Sequence, residues 1–71
     1  MNFPDFYSLN QSDQFEVVSQ KGVLIGDRVQ ADKKFVLYRV DSFFVELIYR
    51  IPENMLTGLR SFLNVNKPEP D

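Results

Sequence analysis

The residues able to do covalent chemistry in this chain of 71 residues are few and scattered. Glu46 draws attention first, because it interrupts the most apolar run of the sequence, Asp-Ser-Phe-Phe-Val-Glu-Leu-Ile-Tyr-Arg at positions 41–50. A carboxylate there could serve as a general acid or base if a second acid converged on it and their proton affinities were held apart. No acid is placed to do so. Ser42 and Ser61 have no histidine to activate them, since the chain has none, and its lack of cysteine removes thiolate nucleophiles, disulfides and cysteine-zinc sites together. Gly22, Gly26 and Gly58 are too dispersed for a phosphate loop, and Asp27, Asp32 and Asp41 lack calcium-loop spacing. The expectation is a protein that is not an enzyme, with no catalytic, cofactor-binding or metal-ligating residue.

Recognition chemistry is better represented. Arg28, Arg39, Arg50 and Arg60 interleave with Phe35, Phe44 and Phe62, a set that could form a stacking platform with phosphate anchors for single-stranded nucleic acid. That requires the basic residues to converge on one face. The net charge of −2, spread over mixed signs, makes nucleic acid the less favoured partner. No stretch approaches the roughly 18 apolar residues of a membrane span, and the first residues carry no basic or apolar leader pattern, so a soluble cytoplasmic protein with no membrane partner is expected.

The elements that must position these side chains follow from periodicity. Residues 1–9 form an N-terminal arm, a packed segment or short turn in which Pro4 discourages a strand. Asn10 as N-cap, Asp13 three residues on and Gly22 past the end delimit a helix of about ten residues, with Phe15 and Val18 on its apolar side. Period-two segments follow at 23–30, 35–40, 43–50 and 55–63, joined by short turn-like stretches that imply hairpins. The fold class is α+β, one domain over 10–63: an N-terminal helix packed on one face of a four-stranded antiparallel meander. The alternative is four strands followed by a C-terminal helix, with 55–63 helical. Residues 64–71 read as a disordered tail.

Parity then sorts the side chains. A two-residue turn at Asp41-Ser42 pairs Val40 with Phe43, Leu37 with Glu46 and Phe35 with Ile48, and pairing Ile51 with Met55 brings Glu46 opposite Arg60 and Phe44 opposite Phe62. One face, Val23, Ile25, Val29, Val36, Tyr38, Val40, Phe43, Val45, Leu47, Tyr49 and Leu59, should be the core, covered by Phe15 and Val18. The other carries Leu24, Arg28, Phe35, Leu37, Arg39, Phe44, Glu46, Ile48, Arg50, Leu56, Arg60 and Phe62. Glu46 thereby ceases to be a core residue and becomes a cross-strand partner of Arg60. One short helix cannot cover both faces, so the mixed face should meet something: the arm folded back with Phe3, Phe6 and Tyr7, a second copy, or another protein. A homodimer is preferred, through Phe35, Leu37, Arg39, Phe44, Glu46, Ile48, Arg60 and Phe62.

The order of elements, with Lys-Gly-Val-Leu-Ile-Gly-Asp-Arg, then Phe44-Val45-Glu46 with Tyr49, then Arg60-Ser61-Phe62, resembles a group of short bacterial proteins of unknown function. They share an aromatic-Val-Glu-x-x-Tyr strand followed by Arg-Ser/Ala-Phe. The resemblance covers roughly residues 10–62 and implies the helix-plus-meander layout without a mechanism. Members often continue past the final Phe, which implies a covering segment that this chain lacks and a more open second face.

Overall fold

The computed structural model describes residues 1–63; the expected tail at 64–71 lies outside the described residues. Two helices precede four strands: α1 (Phe3–Tyr7), α2 (Gln11–Lys21), β1 (Val23–Gln30), β2 (Lys33–Val40), β3 (Phe43–Arg50) and β4 (Met55–Phe62). The strands form one antiparallel sheet in the order β1-β2-β3-β4, so the α+β meander stands and 55–62 is strand rather than helix.

α2 begins and ends where its caps dictate. The Asn10 side chain accepts a hydrogen bond from the Asp13 amide at 2.8 Å, and Gly22 donates its N–H to the Val18 carbonyl at 2.8 Å. A Cβ at Gly22 would lie 2.6 Å from that carbonyl oxygen, so only glycine lets the chain turn into β1 so tightly. The arm is a second, shorter helix. Asn2 caps α1 by accepting from the Asp5 amide at 2.9 Å, and Pro4 sits in the first turn, where its missing N–H costs nothing.

Both helices lie on the same face of the sheet. Phe6 of α1 and Val18 of α2 are buried with Val36, Val40, Phe43, Val45 and Leu47, and the Phe6 and Phe43 rings lie 5.0 Å apart. Phe15, expected in the core, is instead 37% exposed, and the arm's Phe6 takes that place. The arm therefore does not cover the mixed face.

Two bulges change the expected faces. Register shifts between Leu24 and Gly26, so Ile25 has no opposite number; Leu24 falls opposite Tyr38 on the core side and Val23 opposite Arg39 on the other. In β4 the shift leaves Thr57 unpaired, its Oγ1 donating to the Ile48 carbonyl at 3.2 Å, and brings Leu56 opposite Tyr49 on the core side. Val23 and Leu24 thus exchange the faces assigned by parity, Tyr49 pairs with Leu56 instead of Thr57, and Leu56 leaves the mixed face. Gly26 and Gly58 each follow directly on a bulge. β1 is an edge strand, and Ile25 and Val29, expected in the core, are about half exposed or more; Val23, also expected there, is exposed on the other face.

Two-residue turns close the first two hairpins: Gln30 pairs with Lys33 across Ala31-Asp32, and Val40 with Phe43 across Asp41-Ser42. β2 therefore starts two residues earlier than its apolar pattern suggests. Each turn has a positive φ at its first central residue, 59° at Ala31 and 53° at Asp41, as the right-handed twist of hairpin strands demands. At the end of the sheet nearest the helices, Asp41 accepts a 2.7 Å bond from the Met1 ammonium, which holds its carboxyl below the usual carboxylate range.

Candidate functional site: the open sheet face

The site is the sheet face opposite the helices, and the ladder fixes its layout. Reading across the strands, one row holds Arg28, Phe35, Ile48 and Gly58; the next holds Gly26, Leu37, Glu46 and Arg60; a third holds Val23, Arg39, Phe44 and Phe62. All eight residues expected at the interface, Phe35, Leu37, Arg39, Phe44, Glu46, Ile48, Arg60 and Phe62, share this face, and each expected pairing of β3 with β2, and of Phe44 and Glu46 with β4, is present.

Glu46 is the hinge of the charge arrangement. Its Oε1 lies 3.7 Å from Arg60 Nη1 and its Oε2 lies 3.7 Å from Arg28 Nη2, so arginines from both edge strands close on one carboxylate that is only 14% exposed. These are ion pairs rather than hydrogen bonds at that length. The Arg60 contact follows from direct opposition. The Arg28 contact does not, because β1 and β3 are separated by β2, a span of about 9.5 Å that only a long side chain can bridge.

Arg28 crosses that gap by lying over Phe35, its guanidinium carbon 4.2 Å from the ring centroid, while its Nη1 donates to Gln30 at 3.2 Å. Arginine is thus the lid of the apolar stripe at one end. At the other end the Phe44 and Phe62 rings stack side by side, centroids 6.2 Å apart and planes 21° from parallel. Where Gly26 contributes no side chain, a hollow of about 160 Å³ opens between Arg28, Phe35, Leu37 and Glu46.

Register also places Lys33 and Arg50 on this face, in a row with Gln30 and Met55. Arg50 reaches Glu53 of the following turn at 3.4 Å. Arg28, Lys33 and Arg50 lay outside the expected interface set, Lys33 because it precedes the apolar part of β2. Parity alone assigns Arg28 and Arg50 to this face, and the signal for Lys33 is the same alternation carried two residues ahead of Phe35.

The single carboxylate is occupied by two cations, and among the described residues no cluster of acids could hold a metal ion. No described helix is long and apolar enough to cross a membrane. The chain matches no protein-family model, no curated protein and no solved structure.

Proposed function

We propose that this chain is a small, non-enzymatic interaction module of the cytoplasm whose working surface is the mixed sheet face. The observation that supports this most directly is that the helices pack on the opposite face, so that Phe35, Leu37, Phe44, Ile48 and Phe62 are only half-buried, by their own neighbours on the sheet. Antiparallel sheets often leave one face to water, but that face is then usually polar at alternate positions, not aromatic. An apolar stripe edged by arginines has the composition of an interface.

A second copy is the simplest protein partner, since a two-fold axis lying in the plane between the two faces would set Phe44 and Phe62 of one protomer against the same face of the other. Such a dimer brings the arginines of both copies together, so its association strengthens as salt screens them. Sedimentation velocity across concentration, at low and high salt, tests it: a dimer that tightens with salt and dissociates in Phe44→Asp supports self-association. A wild-type protein that stays monomeric throughout removes it.

A further inference from the structure

We infer that the polymer which this face takes is a single-stranded nucleic acid, a deepening that rests on the mixed face being the working surface. Among the described residues Arg28, Lys33, Arg39, Arg50 and Arg60 stand on this face by register against one acid, Glu46, and Glu53 of the following turn reaches Arg50 from the side. The chain as a whole is nevertheless acidic, with a net charge of −2. The other acids of the described residues are elsewhere: Asp5, Asp13 and Glu16 on the helices, Asp32, Asp41 and Glu53 in the turns, and Asp27 on the core side. Away from this face, Lys21 and Lys34 are set against those seven acids, so the described residues carry a basic sheet face and acidic turns and back, and a polyanion is drawn to the first and repelled by the second. Low net charge, which argued against nucleic acid from composition, conceals this segregation.

The apolar groups are of the type that unpaired bases need. Phe44 and Phe62 form a near-parallel pair with Arg39 opposite Phe44, and Phe35 lies about 13 Å away along the strands, flanked by Arg28. Aromatic rings on a sheet stack bases without regard to sequence, and guanidinium groups beside them meet the phosphates. Rings on a sheet face can stack only on bases whose faces are free, and a duplex keeps its base faces stacked inside, so the aromatic groups favour single strands. A second copy of this face offers like charge to like; a phosphate backbone offers the complement.

Fluorescence anisotropy with a labelled oligothymidylate tests the inference, with an equal-length duplex and poly-glutamate as competitors. Binding through three to five phosphates should weaken roughly 20- to 100-fold between about 50 and about 200 mM salt. Arg39→Glu, and Phe44→Ala with Phe62→Ala, should each lose roughly tenfold or more while circular dichroism shows the fold intact; Lys21→Glu, on α2 behind the sheet, should change little. Absence of binding at the lowest salt overturns the inference, as does binding that Arg39→Glu and the ring variants leave untouched, or poly-glutamate competing as well as the oligonucleotide. If oligonucleotide fails to bind but Phe44→Asp still dissociates a dimer, the interaction module stands and this inference alone falls. If Phe44→Asp alters neither assembly nor binding, both fall.

Discussion

Glu46 and Arg60 face each other across β3 and β4 with Oε1 and Nη1 3.7 Å apart, while the other oxygen of the same carboxylate stands 3.7 Å from Arg28. Both arginines are more than half exposed, so water screens the attraction on their side. Pairs of this kind are worth about 0.2–1 kcal/mol. A double-mutant cycle with Glu46→Gln and Arg60→Gln, read by urea denaturation, should therefore give a coupling energy under about 1 kcal/mol. A coupling several times larger would make the trio a structural network instead of a preset for recognition.

Phe6 should matter to the fold far more than Phe15. Phe6 is fully buried against Phe43, whereas Phe15 is 37% exposed. Truncating a buried phenylalanine costs about 3–5 kcal/mol, which is comparable with the whole stability of a domain this small. Phe6→Ala should be largely unfolded at room temperature by circular dichroism, and Phe15→Ala should lose no more than about 1 kcal/mol.

The contrast marks where the sequence could be read and where it could not. Asn10 and Gly22 carry cap chemistry that acts locally, so α2 was legible to within a residue. The β2–β3 register was equally plain, because a two-residue turn leaves no freedom in pairing. Phe6 was hidden because α1 is five residues long, too short for periodicity to reveal a face. The bulges were hidden for a different reason: Val23, Leu24 and Ile25 are all β-formers, so either parity buries an aliphatic side chain and the pattern alone cannot choose. The open face survived these errors because it is built mainly from β2 and β3, where parity is secure. Its charge segregation did not show in the net charge, which sums over both sides of the sheet.

Ala31 offers a gain in stability. Its φ of 59° lies in the left-handed region that costs an L-residue about 1–2 kcal/mol. Glycine removes that cost and returns about 0.4–1 kcal/mol through the freedom of the unfolded chain. Ala31→Gly should raise the urea midpoint by the equivalent of about 0.5–1 kcal/mol, with the denaturant slope unchanged.

Tyr49 sets an alkaline limit. Burial, and then the neighbouring Tyr38, raise its pKa above the ordinary tyrosine value near 10. A proton held more tightly in the folded state means that the contribution is complete below the unfolded pKa. It is lost as pH rises from there through the folded one, because the unfolded chain ionises first. Stability measured by urea between about pH 9 and about pH 11 should fall less steeply in Tyr49→Phe than in the wild type, the two curves running parallel at neutral pH.

Glu46→Gln separates the two partners that the open face could take, since among the described residues it removes the one acid that register places between the cations of this face, without changing side-chain shape. Freed of their common carboxylate, Arg28 and Arg60 are available to other anions. A homodimer through this face then carries one more unopposed cation per copy and should dissociate more readily at low salt, the difference closing as salt rises. A single strand instead meets one repulsion fewer and two released guanidinium groups, so its affinity should rise several-fold, with a steeper salt dependence. Sedimentation and oligonucleotide anisotropy on the same preparation read both quantities. An affinity for oligonucleotide that drops in Glu46→Gln would mean that the carboxylate, by fixing the arginines over Phe35 and beside Phe62, contributes more to binding than its charge takes away.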